Sequence, residues 1–333
     1  MNQFIEGVSV VIPNYNGVDL FPKTLPTVLE ALSNIFLDNE IVIVDDCSKD
    51  KSIEYISANY PQIKLIQNEN NIGFSKTANI GVRATKYNYV LLLNSDVLLT
   101  KYFFKNQIKY LKLPNVFGVE SRTIGWEDEI IQNGAKYPST QLFKIKTSVN
   151  YLYNDMDSVN FPIYTTALCG ANMFFNKDVF YKIGGFDELF SPYYSEDYEI
   201  SLRAWKLGYL CIYDHKSICR HKVSYTVKKT QNKNYVNVVY NRNKMLLHEL
   251  TLDGIPKYLW YLQLFLELFF RVLTFNIKYI RSFILFIKSF KEIKKSKIRF
   301  ENNSKIIGRT KNYSSITRFI KRSIQGDIYL FKQ

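Results

Sequence analysis

Two adjacent carboxylates, Asp45 and Asp46 in VDDCSKD, and a third in the tetrapeptide Asn94-Ser95-Asp96-Val97 each follow a short apolar run. A carboxylate at such a point can accept a hydrogen bond from the imide N–H of uracil or thymine. One of an adjacent pair can do this while the other caps the helix that starts near Lys51. Asp96 suits a divalent ion bridging protein and diphosphate, because Mg²⁺ takes few protein carboxylates and keeps phosphate and water ligands. An isolated Asn-Ser-Asp is otherwise a turn. Glu196 and Asp197 open an amphipathic helical stretch, where backbone amides and the helix dipole hold a carboxylate charged. That suits a general base accepting a hydroxyl proton, although an isolated pair of acids also simply complements the dipole. His221, one of three histidines, either completes a metal site with Asp96 or sits on the surface between Arg220 and Lys222. In NNIGFSKTANIG, Gly73 marks a turn into a helix whose first amides can hold phosphate or a sugar hydroxyl, and Asn79 lies on that helix.

Positioning these groups requires a regular scaffold, and the apolar pattern supplies one. Strands are predicted at 8–12, 41–44, 63–66 and 89–93, alternating with helices at 20–36, 50–59 and 74–84. The strand runs are too apolar for half-exposed strands. They imply an α/β fold with a mostly parallel sheet covered by helices on both faces. Ligands of such sheets bind beyond the carboxyl ends of the strands. Asn14, Tyr15 and Asn16 follow the first predicted strand, Asp45 and Asp46 the second, and Asn94, Ser95 and Asp96 the fourth, so three strand ends face one crevice. Residues 115–165 are less regular, with short strand-like stretches that the pattern does not order. Beyond them the reading gives a strand over 165–175, a turn at Gly184 and Gly185, a helix over 196–207, and a strand-like 209–213 followed by a short loop to His221.

With 47% hydrophobic and 16% aromatic residues over 333 positions, the chain can bury a large core and disorder is excluded. The four cysteines form no CxxC pair and follow no signal peptide, so they read as reduced cytosolic thiols rather than a zinc or disulfide framework. Charge is divided sharply. Residues 255–333 hold 17 Lys and Arg against 4 Asp and Glu, which leaves residues 1–254 almost neutral within a total of +14. A basic tail on a neutral domain suits an acidic surface, and charge alone allows lipid or nucleic acid. Within the tail, residues 256–290 mix aromatics and leucines with charges every few positions. The transmembrane signal therefore fails, with 258–275 as a borderline stretch. An interfacial helix fits better, with Trp260, Phe265, Phe269 and Phe270 at the lipid edge and the polybasic KEIKKSKIR beside it; a helical hairpin packed on the catalytic part is the competing reading.

Taken together, VSVVIPNYNG, IVIVDDCSKD, NNIGFSKTANIG, YVLLLNSDV, CGANMFFNKDVFYKIGGFDELF with EDYEISLRAWKLGY, and finally His221 with Ser224, resemble glycosyltransferase family 2. This is the inverting GT-A-fold group, and the rhamnosyltransferase-like bacterial members are the most similar. The resemblance covers about 8–250. It implies a GT-A catalytic domain at 1–250, with nucleotide-sugar binding in 1–115 and the acceptor half in 116–250, and a basic helical region at 251–333. Pro13, Tyr15, Asn16, Asp45, Asp46, Gly73, Lys76, Asn79, Asn94 and Ser95 would bind the nucleotide sugar. Asp96 and His221 would hold Mg²⁺ or Mn²⁺, Asp197 would be the catalytic base, and Glu196, Gly170 and Trp205 would lie on the acceptor side. Asn94 stands where the family's Asp-any-Asp motif has its first acid, so Asp96 would carry the metal with little help there. The donor expected first is thymidine diphosphate rhamnose, then a uridine diphosphate sugar. The acceptor expected is a saccharide on a polyprenyl diphosphate, at the cytoplasmic face of an anionic membrane, with no nucleic acid. The alternative from another class is a non-catalytic membrane or nucleic-acid adaptor using the basic tail.

Overall fold

The computed structural model describes residues 6–222 and 232–332. The chain begins with β1 (Gly7–Asn14), α1 (Phe21–Ser33), β2 (Asp38–Asp45), α2 (Ser52–Asn59), β3 (Lys64–Gln67), α3 (Phe74–Ala84) and β4 (Tyr89–Leu93). Each of these elements lies where the apolar periodicity predicts it. β1 runs parallel to β2 and β4, and β2 parallel to β3. Alternate residues of each strand serve opposite layers. Val8, Val10 and Ile12 pack with Phe21, Leu25 and Val28 of α1, whereas Val11, Val42 and Val44 pack with Ala78 and Val82 of α3. Both faces are dry, which is why these strands read as unbroken apolar runs.

The middle of the chain holds β5 (Val97–Leu99), α4 (Phe103–Leu111), β6 (Val116–Gly125), β7 (Ile131–Asn133), β8 (Ala135–Lys136), β9 (Ser139–Gln141), β10 (Lys144–Lys146) and β11 (Val149–Tyr153). Next come β12 (Ile163–Tyr164), β13 (Asn172–Asn176), α5 (Lys177–Lys182), α6 (Glu196–Lys206) and β14 (Leu210–His221). The main sheet runs β12-β14-β6-β13-β4-β1-β2-β3, with β5 paired to β14 and β7 to β6. β13 lies antiparallel between β4 and β6, so the sheet is mixed on this side.

Two sequence expectations need correction here. Of the expected 165–175 strand only 172–175 are extended in the sheet, within β13. Residues 165–171 form a loop whose amides find separate partners: Thr165 N donates to Cys211 O and Thr166 N to Lys136 O, each at 3.1 Å, Leu168 N to Ser201 Oγ at 3.0 Å and Cys169 N to Glu120 Oε2 at 2.9 Å. His221 does not follow a loop; it ends the twelve-residue β14, whose ladder with β6 shifts register between Asp214 and Ile218.

The C-terminal part comprises α7 (Lys233–Thr251), α8 (Gly254–Leu273), α9 (Ile277–Lys288), α10 (Phe290–Ile307), α11 (Tyr313–Ser323) and β15 (Ile328–Lys332). Trp260 and Leu264 of α8 join the core of α7, and Ile316 and Ile320 of α11 enter the layer beneath α6. β15 pairs antiparallel with the whole of β11. The buried Glu249 carboxylate receives Lys257, Lys297 and the Tyr261 hydroxyl. The tail is thus packed on the rest of the chain along one side. Among the described residues no helix is long and apolar enough to cross a membrane.

Candidate active site

The carboxyl ends of β1, β2 and β4 open onto a cavity of about 520 Å³. That is within the range of a small-molecule site. Pro13, Tyr15, Asp46, Gly73, Asn94, Ser95, Asp96, Gly170, Glu196, Asp197 and His221 all line it. Five residues expected at the site do not. Asp45 is wholly buried, and its oxygens accept from Asn14 Nδ2 at 2.7 Å and from the Ser48 amide and hydroxyl at 2.8 and 2.6 Å. Asn16 is turned the same way, with Oδ1 accepting from Lys49 N at 2.7 Å. Both tie the loop after β1 to the loop after β2. Asn79 exchanges hydrogen bonds with the backbone of Phe186, each at 3.0 Å, and so fixes α3 to the loop ahead of α6. Trp205 is wholly buried and donates from Nε1 to Thr165 O at 2.9 Å, bracing the 165–171 loop from behind. Lys76 is on α3, whose Phe74 and Thr77 line the cavity.

Asp46 faces the cavity while receiving Asn68 Nδ2, Ile72 N and Gly73 N, each at 2.9 Å. It thereby pins the turn into α3. Gly73 adopts φ +85°, and a Cβ there would lie 2.7 Å from the Cα of Pro192, so only glycine allows this approach. Neither Asp45 nor Asp46 caps α2: Asp45 accepts from Ser48 and Asp46 from the turn at Gly73, while Asp50 Oδ1 accepts from Ser52 N at 3.0 Å.

β5 brings together two residues 125 positions apart. Its antiparallel ladder sets Val97 opposite His221, and Lys222 N donates to Asp96 O at 3.1 Å. The His221 Nε2 atom then lies 3.3 Å from Asp96 Oδ1. Asp96 is 5% exposed, and Oδ1 accepts no hydrogen bond. A buried carboxylate oxygen left open beside an imidazole nitrogen fits a divalent cation that takes its other ligands from phosphate and water. No group of three or more His, Cys, Asp or Glu suited to a metal occurs among the described residues, so protein alone would supply few ligands. Ser224 lies outside the described residues.

Asp197 projects from the first turn of α6, and its Oδ2 accepts from Gly170 N at 3.1 Å. A Cβ at Gly170 would come within 3.2 Å of the Asp197 Cβ. Tyr194 and Ser195, just ahead, take left-handed backbone at φ 79° and 69°. Asn243 of α7, fully buried, donates from Nδ2 to the carbonyls of Phe190, Tyr193 and Tyr194 at 2.7, 2.8 and 2.9 Å. Glu196 lines the cavity next to Asp197, but burial first and the Asp197 charge second push its carboxyl up to about 8. Its Oε2 has no hydrogen-bond partner.

Sequence reasoning missed Tyr193, Tyr194 and Tyr235 on one wall and Thr123, Asn133 and Cys169 on another. Thr123 and Asn133 come from the region without periodicity, where no strand end could be located, and Cys169 from the loop that read as strand. Behind them Glu120 is fully buried and its carboxyl is pushed up to about 7, chiefly by burial, as it accepts from Asn133 and Cys169 N. Burial, with Glu120 next, pushes the Cys169 thiol up to about 12, which removes it as a nucleophile near neutral pH. All four cysteines are free thiols.

A half-parallel sheet flanked by helices, with its cavity at the strand ends, defines the GT-A class of α/β folds. The sequence profile of "Glycosyl transferase family 2" matches residues 9–184, over half of the chain, and the protein belongs to that family. An uncharacterized glycosyltransferase of Rickettsia typhi is 27% identical over 226 residues, covering 67% of this chain and 65% of the relative. The chain thus spans just under two thirds of that relative's length. Among solved structures, GalNAc-T7 with UDP, GalNAc and Mn²⁺ superposes with a TM-score of 0.66 at 17% identity, over 96% of this chain and 57% of that one. A mannosyltransferase from Pyrobaculum calidifontis in complex with GDP-Man and Mn²⁺ gives a TM-score of 0.52 at 15% identity, over 96% and 85%. At these identities the likeness shows the fold.

Proposed function

We propose that this protein transfers a sugar, with inversion, from a nucleotide diphosphate to a saccharide acceptor. One observation carries the reading: Asp197 and the Asp96–His221 pair, drawn from distant parts of the chain, line a single cavity whose other wall is Pro13, Tyr15 and Asp46. Asp46, Pro13 and Tyr15 hold the base end of the donor, and Asn94 and Ser95 its ribose and phosphate end. The Asp197 carboxylate accepts the acceptor hydroxyl proton as the new oxygen–carbon bond forms at the anomeric carbon, and the bond from that carbon to the diphosphate oxygen breaks on the opposite side. Asp96 and His221 would hold Mg²⁺ or Mn²⁺, which would supply charge neutralisation for the departing diphosphate. Glu196 and Gly170 lie where the acceptor enters.

Thymidine diphosphate rhamnose is our first assignment for the donor, on the motif resemblance and Asn94, and a uridine diphosphate sugar the second. We assign catalysis to residues 1–250 and contact with an anionic membrane to 251–333, which places the protein peripherally at a cytoplasmic face. A polyprenyl-diphosphate-linked acceptor in surface polysaccharide assembly follows from that address. Calorimetric titration with thymidine and uridine diphosphates, with and without Mg²⁺ or Mn²⁺, tests the donor site. Metal-dependent binding that Asp96→Ala weakens at least about tenfold is expected. Failure of both nucleotides to bind under every condition would overturn the reading in favour of an adaptor.

A further inference from the structure

Packed by Trp260 and Leu264 on one side, α8 turns an almost wholly apolar stripe outward. Tyr258, Leu262, Phe265, Phe269, Phe270 and Leu273 are all exposed, Phe265 at 66% and Phe269 at 54%. On α9, Ile277, Ile284 and Ile287 are exposed as well. Water-soluble surfaces seldom carry so continuous an apolar face without a partner.

The face is not confined to the tail. The turn between β9 and β10 consists of Leu142, 75% exposed, and Phe143. Three contacts fix this hairpin against α7 and α8. Phe143 N donates to Gln263 Oε1 at 3.0 Å, Lys144 forms an ion pair with Glu267, and Ile145 N donates to His248 Nε2 at 2.8 Å. Gln263 and Glu267 are one turn apart on α8, so the hairpin tip lies alongside exposed Leu262 and Leu266. Leu142 holds left-handed backbone at φ 53°, a conformation in which leucine is unfavourable, and its side chain has no core to fill.

Charge selects the occupant. Arg271, Lys278, Arg281, Lys288 and Lys291 are exposed around the stripe. The sole acid from 258 to 291, Glu267, is engaged by Lys144, Gln263 and Tyr279. An apolar face rimmed by cations complements an anionic lipid monolayer, whereas two copies face to face would bring like charges together.

We propose that the outer stripe of α8, the exposed isoleucines of α9 and the Leu142–Phe143 tip insert together, as one composite surface, into the headgroup edge of an anionic monolayer. This rests on the peripheral-membrane reading above and adds a contribution from the catalytic half. The test is flotation of the full-length protein with vesicles of phosphatidylglycerol and phosphatidylethanolamine, against vesicles of phosphatidylcholine alone. Wild type is expected to float with the anionic vesicles, less so as salt is raised. Phe265→Ser/Phe269→Ser and Leu142→Asn/Phe143→Ser should each reduce partitioning at least about tenfold. Asn suits the left-handed position, and an unchanged thermal midpoint shows that each variant is folded. Undiminished flotation of the Leu142/Phe143 variant would overturn the composite surface while leaving the tail alone as the membrane contact. No flotation of wild type would overturn the membrane reading as well, and a dimer by light scattering that the same substitutions abolish would assign the face to a second copy. Nucleotide titration is independent of all these outcomes.

Discussion

Glu196 and Asp197 share the first turn of α6, and the protein raises the Glu196 carboxyl. Burial, reinforced by Asp197, pushes the Glu196 carboxyl up to about 8, so near pH 7 it holds a proton. Glutamine imitates that form. Glu196→Gln should therefore keep kcat within about threefold of wild type at pH 7, whereas Asp197→Asn, which removes the proposed base, should lower kcat by about 10²–10⁴. Above pH about 8 wild type should lose rate as a second charge develops beside Asp197, and Glu196→Gln should lack that limb. The stability sign agrees: a carboxyl raised in the folded state binds its proton more tightly there than when unfolded. Its contribution is thus complete below pH 4.5 and is lost as pH rises toward 8. Thermal midpoints of wild type and Glu196→Gln should accordingly diverge as pH rises from 4.5 to about 8 and run parallel above it. A wild-type rate that stays flat through pH about 8 would sink the assignment. None of this division was legible in the sequence, where the two acids are simply neighbours. The choice between Asp45 and Asp46 was equally closed to sequence, because it depends on which one meets Ser48 and which one meets the turn at Gly73.

At the scale of elements, β1, β2 and β4 were legible because strands buried on both faces need unbroken apolar runs, and α3 because it needs an apolar stripe. The pairing of β5 with β14 was not, since three residues carry no periodicity and the partner lies far along the chain. That pairing is nevertheless what puts His221 beside Asp96. The 165–171 loop looked like strand because its apolar residues are buried, while its amides bond to Cys211, Lys136, Ser201 and Glu120 rather than to one neighbouring strand. α7 has a function that its sequence does not announce: Asn243 gathers three carbonyls of the segment leading into α6, and Arg242 takes the Leu189 and Ser191 carbonyls. Asn243→Ala would leave buried carbonyls without donors and should cost about 1–3 kcal/mol, read by urea denaturation. Because that segment sets the position of Asp197, kcat should fall further than nucleotide affinity. Equal losses in both would mean that Asn243 only stabilises the fold.

For the whole molecule, the basic tail has two aspects that composition alone could not separate. Its outer face is the apolar surface around Phe265 and Phe269, and its inner face is part of the common core. Trp260, Ile316 and Ile320 are fully buried, β15 completes the sheet edge at β11, and Arg299 pairs with Asp187 at 2.7 Å ahead of the proposed base. Truncation before Gly254 would therefore remove more than a membrane anchor. Glu249, 1% exposed, would lose Lys257, Lys297 and the Tyr261 hydroxyl together with the helices that cover it. Exposure of the layers that Trp260, Ile316 and Ile320 cover adds to that, against a total stability for such domains of about 5–15 kcal/mol. The truncated chain should lose its cooperative thermal transition or show a midpoint lowered by more than about 10 °C. Phe265→Ser/Phe269→Ser, on the opposite face of α8, should leave the midpoint unchanged. Calorimetry on the two proteins decides the matter: a truncated chain that melts like wild type would mean that the catalytic half is stable without its tail, and the inner contacts would then be incidental.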